Sequence, residues 1–319
     1  MSYVPKNILV TGGLGFIGSN LANFLASKYN VIVVDKYDYC SREANITNKN
    51  IIIYHVDINS TLDMLKIMTT HDIDTVFHAA ANSHVDLSFS AINDFVRNNI
   101  LGTYALLDVC RVYGKIQRFI HLSTDEIYGF NDNKDGFVEE SAMKPTNPYA
   151  ATKCSAEHAV YSYYKSYNIP IIITRSNNVM GRFQYPEKVI SKFIIQLLTN
   201  KPITLQNGGL CKRTFIYVDD LVEAFDTLLH QGVIGEVYNI GSNDEYSIIE
   251  IAELVNKMIS DKKLITVEIS DRNFNDIRYH INYDKIKQLG WSPKTEFIIG
   301  LQQTIDYYKE HVDEYAFCV

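Results

Sequence analysis

A doubly wound α/β fold built on a parallel sheet is predicted by three features of this 319-residue chain. Short apolar runs, too brief for helices, alternate with longer amphipathic stretches through the first half. A glycine-rich turn joins the first run to the first amphipathic stretch. After residue 176 the rhythm gives way to shorter, more polar segments with interspersed arginines and lysines, which predicts a smaller second unit.

The elements follow in order. Asn7–Thr11 (NILVT) is short and aliphatic and reads as a buried strand. A helix is expected over 16–29, buried strands over 31–35 and 50–56, a helix near 62–70 and a strand at Thr75–His78. One long helix is expected over 91–113, then a strand over 119–123, a helix over 149–167 and a strand over 170–175. Residues 1–176 therefore read as one nucleotide-binding unit, rejoined by a return segment at about 214–241 that carries a helix-like 219–231 and a strand-like 236–240. Residues 177–213 and 242–319 read as a smaller C-terminal α/β unit for substrate. Ligands of such a sheet bind beyond the carboxyl ends of its strands.

Composition is that of an ordinary globular protein, 46% hydrophobic and 21% charged. A net charge of −7 argues against a nucleic-acid surface, while a few local cations still suffice for an anionic small ligand. The 5 cysteines are scattered without a C-x-x-C pair, and the 9 histidines show no metal-ligand spacing. No metal, no disulfide framework and a reducing compartment are expected. No apolar stretch approaches the ~20 residues of a membrane span, so a cytoplasmic location without membrane association is expected.

The glycine turn carries the first functional signal. Gly12, Gly15 and Gly18 form G-x-x-G-x-x-G after a strand, with Phe16 and Ile17 opening the helix. Glycine allows a tight turn, close approach of backbone to a pyrophosphate, and a helix N-terminus aimed at phosphate. Asp35 ends the next strand, where a carboxylate accepts ribose hydroxyls and repels a 2′-phosphate, so NAD is expected over NADP; Lys36 beside it weighs the other way. Asp57, followed by Ile58, is placed either to reach the adenine or to cap a turn. Ala79, Ala80 and Ala81 end the fourth strand, where small side chains admit a cofactor or pack tightly on a helix.

Tyr149 and Lys153 stand at i and i+4 at the start of a helix, on one face. A tyrosine with pKa near ~10 is a poor base, and a lysine ammonium beside it is expected to lower that value. Thr124 ends the preceding strand on the same rim, and Asp125 and Glu126 follow it. Adjacent carboxylates at an irregular strand end raise each other's pKa and suit an acid/base pair, although a solvated acidic turn has the same pattern.

Together these motifs resemble the extended short-chain dehydrogenase/reductase family, with its Rossmann-type sheet, over essentially the whole chain. Thr124 to Gly129 (TDEIYG), Ser83 to Asp86 (SHVD), and Asn177-Asn178 followed by Tyr185 to Lys188 (YPEK) are similar to nucleotide-sugar 4,6-dehydratases. The resemblance implies that Tyr149 takes the proton of sugar O4 with Thr124 bonded to that oxygen, that Glu126 removes the C5 proton, and that Asp125 protonates the departing C6 hydroxyl. It further implies that Asn178 lies near NAD and that Ser83, His84, Asp86, Asn177, Lys188, Val189, Arg213, Arg272, Asn275, Arg278 and Tyr279 contact the nucleotide sugar. A 4-epimerase and a non-catalytic NAD-binding regulator are the rival readings. Epimerases that resemble this chain carry small residues in place of Asp125 and Glu126.

Residues 34–41 and 271–279 resemble the eukaryotic enzymes of UDP-rhamnose synthesis, so UDP-glucose is the preferred substrate and dTDP-glucose the rival. Met180 and Arg182 depart from the family loop, and Arg182 either adds a phosphate contact or marks a different loop. The resemblance also implies a homodimer formed through the long helices at 91–113 and 149–167.

Overall fold

The computed structural model describes residues 3–130, 135–260, 262–270, 274 and 276–319, so the expected contacts Arg272 and Asn275 lie outside the described residues. The strands are β1 (Asn7–Thr11), β2 (Asn30–Asp35), β3 (Ile52–His55), β4 (Thr75–His78), β5 (Arg118–Thr124) and β6 (Ile171–Ser176). They continue with β7 (Asn178–Met180), β8 (Ile203–Leu205), β9 (Lys212–Tyr217), β10 (Val237–Ile240), β11 (Glu245–Ser247) and β12 (Thr266–Glu268). A 7-stranded sheet runs in the order β10-β6-β5-β4-β1-β2-β3 with every neighbouring pair parallel. The predicted fold class is the one observed.

Strand side chains alternate between two cores, as the period of two requires. Ile8 and Val10 pack with the helices Phe16–Leu25 and Val218–Gln231, while Leu9 faces the helices Thr61–Thr70, Gly102–Tyr113 and Pro148–Tyr167. Strand order reverses between β1 and β4, leaving a crevice above their carboxyl ends. Beyond the main sheet, a 3-stranded sheet (β11-β9-β7) and a 2-stranded sheet (β12-β8) share a separate core with Phe193, Ile194, Leu301 and Tyr308. Among the described residues no helix is long and apolar enough to cross a membrane, and no group of three His, Cys, Asp or Glu side chains could hold a metal ion.

Three elements differ from expectation. The strand expected over 50–56 is shorter and is not buried, because β3 is an edge that, among the described residues, pairs only with β2 and leaves Ile52 and His55 exposed. The first helix stops at Leu25 rather than at residue 29. The single helix expected over 91–113 is interrupted: Ile92–Phe95 leads into a π-helical turn, Val96–Leu101, before Gly102–Tyr113. The widened turn turns Asn99 inward, where its Oδ1 accepts from Asn82 N at 2.8 Å and its Nδ2 donates to Asn82 O at 3.0 Å and Thr152 Oγ1 at 2.9 Å. Hydrophobic periodicity is blind to such a polar requirement.

One buried ion pair fixes the helix Pro148–Tyr167 to the sheet. Arg175 of β6 reaches Glu157 through Nη2 to Oε2 at 2.8 Å, with only 5% and 3% of the two side chains exposed. The guanidinium also donates to Tyr128 OH at 2.7 Å and to Glu139 O at 2.9 Å, and Tyr128 OH donates to Asn239 of β10 at 2.8 Å. Removing one partner strands a desolvated charge, which costs about 3–5 kcal/mol. The Arg175→Met variant should therefore show a markedly lower thermal unfolding midpoint than the parent in calorimetry. An unchanged midpoint would mean the pair contributes no such anchoring.

Candidate active site

The glycine turn and the ends of β1, β2, β4, β5 and β6 line one continuous cleft. Gly12 sits at φ +67°, and a Cβ there would lie 2.7 Å from the Ala80 backbone; a Cβ on Gly18 would lie 2.2 Å from Gly12 O. Only glycine lets β1 and β4 close so tightly at the switch point. The helix Phe16–Leu25 starts without a side-chain cap, so its first N–H groups face the cleft, the arrangement that suits a phosphate.

Asp35 anchors the adjoining loop and is 6% exposed. Its Oδ2 accepts from Leu14 N at 3.0 Å, and its Oδ1 from Tyr37 N at 2.9 Å and Ser41 Oγ at 2.8 Å. A carboxylate offers roughly four acceptor positions, so one remains for a ligand hydroxyl. Lys36 is paired with Asp38 at 2.7 Å. Asp57 does cap its turn, with Oδ1 accepting Asn59 N at 2.9 Å, and it also lines the cleft beside Ile58. Below the cleft floor, burial pushes His78 down to about 3, with Lys153 adding to the effect, and its ring bridges Thr11 and Thr103 as a neutral imidazole.

Around the end of β5 the chemistry is concentrated. Thr124 caps a short 3-10 turn, Asp125–Tyr128, accepting from Glu126 N at 3.3 Å, so what was expected as an irregular strand end is a defined turn. Asp125 is 2% exposed. Burial pushes its carboxyl up to about 7, with Glu126 adding to the rise, while the 2.7 Å hydrogen bond from Asn177 Nδ2, Arg213 and Thr124 act against it. Glu126 accepts from Asn147 Nδ2 at 2.8 Å, and the Tyr279 hydroxyl oxygen lies 3.4 Å from the same carboxylate oxygen.

Tyr149 departs from expectation. Burial, and after it the charge of Glu126, raise the phenol above its ordinary value, with Asp125 adding to the rise; the hydrogen bond with Thr124 opposes them. Lys153 does not offset this directly, since its Nζ donates to Leu122 O at 2.7 Å. Burial brings the ammonium down to about 8, against the pull of Glu157. The i, i+4 spacing set the shared face correctly, but a backbone carbonyl holds the amine.

All the expected cofactor residues line the cleft: Gly12, Gly15, Phe16, Ile17, Gly18, Asp35, Lys36, Asp57, Ile58, Ala79, Ala80, Ala81, Tyr149, Lys153 and Asn178. Of the expected substrate residues, Ser83, Thr124, Asn177, Lys188 and Val189 line it too, and Lys188 Nζ donates to Ser83 O at 2.6 Å. Tyr279 joins through Glu126, and the Arg213 guanidinium stacks 4.7 Å from the Tyr279 ring centroid. His84, Asp86 and Arg278 do not line the cleft. His84 caps the helix Val85–Ser90 by accepting from Leu87 N at 3.1 Å, Asp86 is exposed in its first turn, and Arg278 donates to Glu245 at 2.5 Å. Arg182 is taken up by a two-point contact with Asp219 at 2.7 and 3.0 Å, and Met180 is buried in the separate core of the two small sheets.

Several contributors escaped sequence reasoning. Asn147, whose position before Pro148 signalled a helix cap, touches Glu126. Asp276 accepts from Tyr279 OH at 2.5 Å and from Thr146, and no local pattern announces it. Tyr39, whose hydroxyl donates to Glu187, closes the rim of the cleft.

A switch-point cleft flanked by a Thr, Tyr and Lys set is the architecture of extended short-chain dehydrogenases/reductases. The chain belongs to the GDP-mannose 4,6 dehydratase family, whose model matches residues 9–304. It is 42% identical over 320 residues to the Arabidopsis thaliana trifunctional UDP-glucose 4,6-dehydratase/UDP-4-keto-6-deoxy-D-glucose 3,5-epimerase/UDP-4-keto-L-rhamnose-reductase, covering 97% of this chain and 48% of that protein. The chain thus spans about half the length of that relative. The human dTDP-D-glucose 4,6-dehydratase is 41% identical over 319 residues, covering 96% of this chain and 91% of that protein. Among solved structures, the Streptomyces venezuelae dTDP-glucose 4,6-dehydratase DesIV with NAD and TYD bound superposes with a TM-score of 0.93 at 31% identity, covering 97% of this chain and 99% of the other.

The Asp125 carboxyl should keep its proton up to about pH 7 and lose it above. Because the Asn177 amide favours the charged form, Asn177→Ala should move that titration upward, read from the carboxylic C=O band in infrared difference spectra. A midpoint that moved down would contradict the assigned bond.

Proposed function

We propose that this chain is an NAD-dependent 4,6-dehydratase of a nucleoside-diphosphate glucose, a hydro-lyase that forms the 4-keto-6-deoxy sugar nucleotide. The observation that carries this reading is the buried, protonatable Asp125 beside Glu126, both within reach of Thr124 and Tyr149 in one cleft. The glycine cradle and the open acceptor of Asp35 suit an NAD dinucleotide. Bound NAD would accept hydride from the sugar C4 and return it to C6.

The chain's own groups supply the rest. Tyr149 takes the O4 proton, and Thr124 hydrogen-bonds that oxygen. Lys153, one helical turn on, supplies the nearby positive charge that the resulting phenolate needs. The 4-ketone acidifies C5, Glu126 removes the C5 proton, Asp125 gives its proton to the C6 hydroxyl, which leaves as water, and Glu126 returns its proton to C5 as C6 is reduced. An Asp125 carboxyl with a value near 7 is poised for its role, since about half of it still carries its proton at neutral pH. Exchange of configuration at C4 alone would leave both carboxyls without a task, which disfavours the epimerase reading.

Asn177, Ser83, Lys188 and Val189, which line the cleft, are the proposed contacts of the sugar diphosphate, with Arg213 and Tyr279 beside Glu126. UDP-glucose is the proposed substrate on the resemblance of residues 34–41 to enzymes of UDP-rhamnose synthesis. Similarity to the human dTDP-D-glucose 4,6-dehydratase favours dTDP-glucose as a second reading. A second copy of the chain is proposed against the helices Gly102–Tyr113 and Pro148–Tyr167, where Tyr104, Val112, Tyr161 and Tyr167 stand exposed.

Incubation of the purified protein with UDP-glucose and dTDP-glucose, followed by mass spectrometry, should show loss of one water without added reductant, faster from the UDP sugar. Loss from neither sugar sinks the reading, and faster loss from the dTDP sugar reverses the base preference. Glu126→Gln should stall after C4 oxidation and accumulate the absorbance of bound reduced nicotinamide. Unimpaired turnover would remove Glu126 from its role. Turnover limited by water loss should also decline as pH rises through about 7, where Asp125 gives up the proton it must donate.

A further inference from the structure

Asn147 stands at the junction of two catalytic elements. Its backbone is the N-cap of the helix Pro148–Tyr167, which carries Tyr149 and Lys153. Its side-chain Oδ1 accepts from Ala150 N at 2.8 Å, so the other end of the amide must be the NH2 group. That group donates to Glu126 Oε2 at 2.8 Å. Tyr279 OH lies 3.4 Å from the same oxygen, held from behind by Asp276.

With Tyr279 giving its one proton to Asp276, Asn147 is the donor that engages Oε2, which leaves Oε1 to meet a carbon-bound proton. A glutamate has three side-chain torsions and costs entropy to hold in one pose. A capping residue is itself fixed by the helix it caps, so it makes a firm support. We infer that Asn147 is a positioning residue that holds the general base Glu126 in register with Tyr149, so that the groups acting on O4 and C5 hang from one helix N-terminus. This rests on the dehydratase reading above.

Capping and holding can be separated by substitution. Ser, Asp and Gly all serve as N-caps, so Asn147→Ser, Asn147→Asp and Asn147→Gly keep the helix start. Serine retains a hydroxyl donor for Glu126, glycine offers none, and aspartate sets a second carboxylate against it. With the preferred nucleotide glucose in heavy water, C4 oxidation should persist in all of them, seen as reduced-nicotinamide absorbance. Water loss and C5 proton exchange should slow by about 30-fold in Asn147→Asp, within the ~10²-fold that misplacing a reacting group by ~1 Å costs. An isotope effect with C5-deuterated substrate should emerge, with KM changed by less than about 2-fold, because only positioning at the reacting atom is lost. Asn147→Ser should stay within about 5-fold of the parent, since a donor remains. Should the aspartate variant unfold, Asn147→Gly carries the same expectation of slowed C5 exchange. Equal C5 exchange in the serine variant and in whichever of the other two is folded overturns the inference while leaving the dehydratase reading intact. A parent protein that loses no water from either sugar overturns both.

Discussion

The buried pair of Glu157 and Arg175 is the constraint on which the arrangement of this site depends. Glu157 lies one helical turn beyond Lys153, and Arg175 lies in β6, one residue before the strand's end. Their bond sets how the helix Pro148–Tyr167 lies across the sheet, and therefore where Tyr149 stands relative to the end of β5. Two desolvated charges are costly to place, and the cost is met here because the guanidinium finds carboxylate, phenol and carbonyl acceptors together. Through Tyr128 the same network grips the turn that carries Asp125 and Glu126. One buried charge cluster thus fixes the helix that carries Tyr149 and the turn that carries Asp125 and Glu126.

Above that anchor, the cleft has two chemical regimes. On the dinucleotide side, backbone geometry dominates: glycines at a tight turn, a helix start without a cap, and small alanines at the end of β4. On the sugar side, burial dominates. It keeps the proton on Asp125 to about pH 7, raises Tyr149 and brings Lys153 down to about 8, so all three move toward their neutral forms. Asparagines hold the groups around the end of β5, Asn177 at Asp125, Asn147 at Glu126 and Asn99 beneath the helix Pro148–Tyr167, because an amide can donate and accept at once without adding charge.

The parallel sheet, its switch point and the glycine turn were legible because each follows from a local pattern: β1 and β4 are continuous apolar runs, and the glycines stand where no Cβ fits. Less legible were features that answer to distant partners. The π-turn at Val96–Leu101 exists to bring Asn99 to Thr152, 53 positions away, and the edge position of β3 follows from what fails to pair with it. Lys153 was placed on the right face, but the contact that holds its amine, the carbonyl of Leu122 in β5, lies 31 positions away.

By itself, then, the sequence determined the sheet and the glycine turn, and brought Thr124, Asp125, Glu126, Tyr149 and Lys153 to one rim of it, because propensity, periodicity and residue chemistry are local properties. Only the tertiary structure decided how those groups are charged and held: that Asp125 is buried against Asn177, that burial raises Tyr149, and that Asn147 reaches Glu126. Desolvation and hydrogen bonding depend on which segments meet in space, and no spacing along the chain encodes them.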